Sequence, residues 1–122
     1  LSYNWKRFYD QGVIVAAGSD NPVEHYDPIL GIHASVNRQN WEGKPEGGWL
    51  PEQRLTVDQA VSALTVGSAY AAREVAVKGT LEVGKYADAV VLSEDIFAMN
   101  PGHINQARAV MTIVAGQVAY ED

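Results

Sequence analysis

The chain contains no cysteine. That removes disulfides and thiolate metal sites from its 122 residues and is compatible with a reducing cytoplasm, the expected location. No apolar run approaches the ~20 residues needed to span a bilayer, so a membrane is not an expected partner. Positive charge is also scarce. Nine Lys and Arg stand against fifteen Asp and Glu, a net charge of −6 distributed along the chain. Phosphate binding needs a clustered cationic surface, so nucleic acid is not expected either, and the acidic balance reads as a solvated surface that aids solubility. The opening Leu1-Ser2-Tyr3-Asn4 shows neither an initiator Met nor a charged stretch leading into an apolar core, so no signal peptide is visible. The expectation is that these residues are the C-terminal portion of a longer protein.

What is present is globular in composition, with 47% hydrophobic residues. Tyr3, Trp5, Phe8 and Tyr9 fall at loosely helical spacing and Gly12 supplies a stop. Val13-Ile14-Val15-Ala16-Ala17 is a short uninterrupted apolar run, which reads as a strand buried on both faces in a parallel sheet. The polar cluster Gly18-Ser19-Asp20-Asn21-Pro22-Val23-Glu24 follows it, at the place where βα barrels build their active sites. Asp27-Pro28 then opens a helix with an N-cap acceptor and a proline at its first position, and Ile29, Ile32 and Val36 give it an apolar face. Residues 39–54 form a Gly- and Pro-rich loop of a length that is often functional. Thr56 and Gln59 make a capping box for the next helix, whose stripe of Val57, Ala60, Val61, Leu64, Ala71 and Ala72 predicts an end near Arg73.

The period then changes. Residues 79–85 read as a turn between short extended pieces, Ala89–Leu92 as a strand and Ala109–Val114 as another. Ala115-Gly116 joins the last to Gln117-Val118-Ala119-Tyr120 as a two-residue hairpin. A βα section over residues 1–76 thus gives way to an all-β section over residues 77–122, and the 13–17 strand is expected to lie outside the sheet of the second section. On the hairpin, Val110, Thr112 and Val114 are expected on one face, Met111 and Ile113 on the other.

The candidate chemistry is thin. His25, His33 and His103 form neither a helical i, i+4 pair nor a His-x-His strand pair, so each reads as a polar-surface or hydrogen-bonding residue and none is assigned to metal. By spacing alone, Ser19-Asp20 after a strand is a turn or an N-cap. Pro22 is expected to hold Asn21 extended and so steady the Asp20 backbone. Glu24 is balanced between supporting the Asp20 loop and being a surface charge. Arg38 reads equally as a contact for an anionic substrate group or as an exposed helix end. Trp41 and Trp49 either line a pocket mouth or, the simpler role, anchor the long loop. Asp88 sits in a turn before a strand, placed to accept backbone N–H bonds.

Four segments, taken together, resemble one family. Gly18-Ser19-Asp20-Asn21-Pro22-Val23-Glu24 is similar to the strand-eight signature of the amidohydrolase superfamily, in the family 3 branch that acts on N-acyl and formamide-type substrates. Leu55-Thr56 through Tyr70-Ala71 resembles its last barrel helix. Gly79-x-Leu81-x-x-Gly84-Lys85-x-Ala87-Asp88-x-Val90-Val91-Leu92 resembles the return into its β-sandwich. Val110-x-Thr112-x-Val114-x-Gly116-x-Val118-x-Tyr120 resembles the closing hairpin.

The resemblance implies an α/β fold: the C-terminal part of a (β/α)8 TIM-like barrel, then strands of a small β-sandwich domain. It implies hydrolysis of non-peptide C–N bonds through water activated by one or two divalent ions, most often zinc. Only Asp20 carries over, as a metal ligand and as the catalytic proton shuttle. Water on a metal is more acidic, so a neighbouring carboxylate can take its proton and pass it to a leaving amine. The other ligands would lie outside this segment, which by itself is expected to be inert. The implied partners are a small-molecule amide substrate and the rest of the barrel, with a homo-oligomer left open. The alternative is a non-catalytic binding or regulatory scaffold of the same descent.

Overall fold

The computed structural model describes residues 2–122 and shows a mixed α/β arrangement with one small antiparallel sheet. Helix α1, Trp5–Asp10, is the short amphipathic turn that the aromatic spacing predicts. Helix α2 spans Pro28–Asn37; the Asp27 carboxylate accepts from the Ile29 N–H at 2.9 Å, and Pro28 occupies the first turn, where its missing N–H costs nothing. Ile29, Ile32 and Val36 are all buried.

The helix begun by Thr56 is interrupted. Both hydrogen bonds of the capping box form, Gln59 N–H to Thr56 Oγ1 at 3.1 Å and Thr56 N–H to Gln59 Oε1 at 3.0 Å. Helix α3, Val57–Ser62, then widens into a π turn over Ala63–Gly67 and resumes as α4, Ser68–Ala71. The helix stops two residues short of Arg73, which takes a left-handed conformation at φ 61°. The Glu74 N–H reaches back to the Ala69 carbonyl at 2.8 Å, a wrap that satisfies an end carbonyl.

Strands β1 (Ala89–Leu92), β2 (Ala109–Val114) and β3 (Gln117–Glu121) form the sheet in that order, antiparallel throughout. Ala115 and Gly116 both have positive φ, 49° and 79°, as the tight hairpin turn demands. The ladder has two irregularities. Val91 pairs with Met111 but Leu92 with Ala109, leaving Val110 as the extra residue, and Thr112 pairs with Tyr120 but Ile113 with Val118. The extra residues are Val110, near the start of β2, and Ala119 on β3, so the run Met111–Val114 itself continues without an inserted residue.

The buried cluster joins α2 and α3 to the segment between β1 and β2: Ile29, Ile32, Val36, Leu55 and Ala60 pack with Ile96, Ile104 and Ala107. Its one continuous body comes from residues far apart in sequence. No helix among the described residues is long and apolar enough to cross a membrane.

The expectation that fails is the strand at Val13–Ala17. These residues take no regular secondary structure and join no ladder. A strand exists only where neighbouring backbones complete its hydrogen bonds, and among the described residues no parallel neighbour is present. Val13 and Ile14 are left 48% and 56% exposed, as a two-faced buried strand would be with its neighbours missing. The segment does lie apart from the β1–β3 sheet, as expected.

Candidate functional site

The apolar run leads into a compact turn at its C-terminal end. The Val23 N–H donates to the Asp20 carbonyl at 2.9 Å, the Glu24 N–H to the Ser19 carbonyl at 3.2 Å, and the Asn21 N–H to Ser19 Oγ at 3.3 Å. The Asn21 side chain closes the turn by donating to the Glu24 carbonyl at 3.2 Å. Asn21–Pro22 is a cis peptide. These bonds run through backbone, Ser19 and Asn21, so Asp20 stands exposed at the first position of the turn. Its φ is 50°, a left-handed conformation that Asp and Asn tolerate better than most residues. Glu24 contributes backbone groups to the turn, and its side chain is exposed.

The three histidines do not converge on Asp20. His25 is exposed; its Nδ1 accepts from the Asp27 N–H at 3.1 Å, which places the ring proton of the neutral form on Nε2, and its ring stacks on Tyr26 at 4.5 Å. His33 points the other way, into the core, at 1% exposure, with Asn37 Nδ2 3.1 Å from its Nδ1. Burial holds its imidazole below the usual histidine pKa, and the Asn40 backbone opposes only part of that shift. His103 is exposed in the turn Pro101–Gln106. Among the described residues no three His, Asp or Glu side chains come together as a metal site. Asp20 fits a divalent cation as one anionic oxygen donor, and no cluster among the described residues completes a coordination sphere around it.

The comparison with known proteins supplies the context for that single carboxylate. A model of the amidohydrolase family matches residues 1–120. The chain belongs to the amidohydrolase family. It is 32% identical over 120 residues to the YtcJ protein of Bacillus subtilis (strain 168), covering 98% of this chain and 23% of that protein. It is 30% identical to the N-substituted formamide deformylase of Arthrobacter pascens, covering 92% of this chain and 20% of the deformylase. A Mus musculus protein named as a probable imidazolonepropionase is 31% identical, with 95% of this chain and 25% of that protein covered. The chain thus spans about a fifth to a quarter of the length of the curated relatives it matches.

Four other residues that the sequence singles out, Arg38, Trp41, Trp49 and Asp88, make structural contacts in this amidohydrolase segment. Arg38 is neither an exposed helix end nor open to a substrate: it is only 6% exposed, caps α2 in a left-handed conformation, and its guanidinium lies between Trp5 and Trp49, 5.1 Å from each ring centroid. Burial works against its charge, and nearby Glu52 favours it. Trp49 anchors the 39–54 loop through this contact and through an edge contact with Tyr3 at 5.9 Å, and Asn105 Nδ2 pins the Trp41 carbonyl at 2.9 Å. Asp88 does what its turn position predicts, accepting the Ala115 N–H at 2.8 Å and so fixing the β2–β3 turn. His33 falls with Ile29, Ile32 and Val36 on the i, i+3, i+4, i+7 stripe of α2, so its burial follows from the helix period, whereas Arg38 lies just beyond the helix end, where the period gives no signal.

Proposed function

We propose that this segment is the C-terminal section of a longer metal-dependent hydrolase that cleaves C–N bonds other than peptide bonds, with N-formyl or N-acyl amines as substrates. Residues 1–76 would complete a (β/α)8 barrel and residues 77–122 would join a β-sandwich, in a cytoplasmic enzyme using zinc. The observation that carries the reading is the family match over residues 1–120, which includes an exposed carboxylate, Asp20, just after an apolar segment. The deformylase among the relatives supports a formamide or similar amide.

A bound divalent cation supplies positive charge that acidifies water and polarises a carbonyl. Asp20 is the base that removes one proton from the attacking water as its oxygen bonds to the carbonyl carbon. The same carboxyl returns that proton to the nitrogen as the C–N bond breaks, giving a carboxylic acid and an amine with atoms and charge balanced. An exposed carboxylate on a short, internally bonded turn can be placed for both transfers without a large rearrangement.

The test is hydrolysis of a panel of N-formyl and N-acetyl amines by the whole protein carrying this segment, before and after chelation. Release of amine that is lost on chelation and restored by zinc is the expected result. A folded, metal-loaded protein that cleaves nothing in the panel would favour the scaffold alternative.

A further inference from the structure

We infer that Ser68, with Gly67, positions Asp20 by clamping the 13–17 segment against the π turn of the helix. The inference rests on the reading of Asp20 as the proton-carrying carboxylate.

The sequence of contacts begins in the helix. An α-helix closes each carbonyl onto the N–H four residues on, and widening by one residue over Ala63–Gly67 loosens that ladder locally. The Ala63 carbonyl at this point receives a donor from outside the helix, the Ala17 N–H at 3.0 Å. Ser68 stands beside the same pair. Its hydroxyl oxygen is 2.8 Å from the Ala17 carbonyl and 3.0 Å from the Ala63 carbonyl, so its one proton serves the junction from either side. The Ala17 N–H is thus bonded to the helix, and the Ala17 carbonyl is bonded to it as well when the Ser68 proton turns toward the shorter of its two contacts.

Gly67 makes the approach possible. A Cβ at this position would lie 2.1 Å from the Val15 carbonyl oxygen, a distance real side chains essentially never show, and a tight 3.1 Å from its carbon. Helix backbone and segment backbone meet with no side chain between them. Asp20 follows Ala17 by three residues, and the hydrogen bonds of its own turn, Val23 to Asp20 and Asn21 to Ser19, are local. Ala17 is thus where the Asp20 turn is fastened to the helix. The π turn, the glycine and the serine form one device, and a regular helix with Ala at 67 and 68 would hold the segment neither as closely nor by both groups of Ala17.

The experiment uses the whole protein with Ser68→Ala and Ser68→Thr, and with Asp20→Asn as reference. Two quantities are read: hydrogen exchange of the peptide spanning residues 13–20, and kcat and KM on an N-formyl amine that the wild type hydrolyses. In Ser68→Ala, exchange of that peptide should accelerate, and kcat should fall roughly 10-fold with KM within about twofold, because a displacement of well under 1 Å at a reacting group is enough for such a loss. Ser68→Thr keeps the hydroxyl and should restore both. Unchanged exchange or unchanged kcat in Ser68→Ala, beside a dead Asp20→Asn, overturns the positioning role alone. A loss of kcat in Ser68→Ala that tracks loss of folded protein, with no rescue by threonine, also overturns it. Full activity in Asp20→Asn overturns the reading on which the inference rests, and the inference with it.

Discussion

Arg38 and Trp49 exchange hydrogen bonds in both directions: Arg38 Nε donates to the Trp49 carbonyl at 3.0 Å, and the Trp49 N–H donates to the Arg38 carbonyl at 2.8 Å. With the guanidinium sandwiched between Trp5 and Trp49, this pair ties the N-terminal helix, the end of α2 and the long loop into one body. Gly48 belongs to the same junction, since a Cβ there would sit 2.4 Å from the Asn37 carbonyl.

Arg38→Ala should destabilise the protein by about 2–4 kcal/mol, from two partly buried cation–π contacts and a charge-assisted hydrogen bond. Arg38→Lys should recover less than half, because an ammonium lacks the planar face that stacks on both rings. Chemical unfolding of the folded variants measures this. A KM raised many-fold with stability unchanged would instead return Arg38 to the substrate.

His33 sets a pH dependence. Its folded pKa lies below the unfolded value because the buried ring resists charging. In the window between the two values the unfolded chain binds a proton that the folded chain does not, so stability rises with pH. The contribution is complete above the ordinary histidine value of about 6.5 and is lost progressively as pH falls below it toward the folded pKa. His33→Asn should flatten the slope of unfolding free energy between pH 7 and 5.5, approximate bounds chosen to stay above most carboxylate titration. An identical slope in wild type and variant would contradict this.

Asp20→Asn should reduce amide hydrolysis by roughly 10²–10⁴-fold, the usual share of a positioned acid–base group, and more if water is also misplaced. The fold should survive, since the residue is exposed and its turn is held by backbone, Ser19 and Asn21. Stability should be unchanged or slightly higher, as is common when a functional charge is removed. Activity at saturating metal, with thermal unfolding as the folding control, checks both parts.

Asp88→Ala should cost about 1 kcal/mol through the lost acceptor for the Ala115 N–H, and leave kcat and KM as they were. Asp88→Asn keeps an amide oxygen and should recover most of that stability. A loss of turnover in a well-folded Asp88→Asn would show a role beyond the turn.

Local elements were legible in the sequence because their causes are local. Thr56 and Gln59 are three residues apart and bond each other whatever surrounds them; Asp27-Pro28 starts a helix for the same kind of reason; Ala115-Gly116 turns the hairpin by its own backbone preferences. Family membership was legible too, since it is carried by ordered short motifs. Tertiary structure alone decided the rest. Val13–Ala17 carries a strand pattern yet forms no ladder, because hydrogen bonds between strands depend on neighbours the pattern does not contain. Periodicity cannot announce a π turn, whose use lies in meeting Ala17 some fifty residues earlier in the chain. Arg38 is buried because Trp5 and Trp49 arrive from other parts of the chain to cover it, and burial of a polar group beyond a helix end is set by such partners rather than by the residue itself.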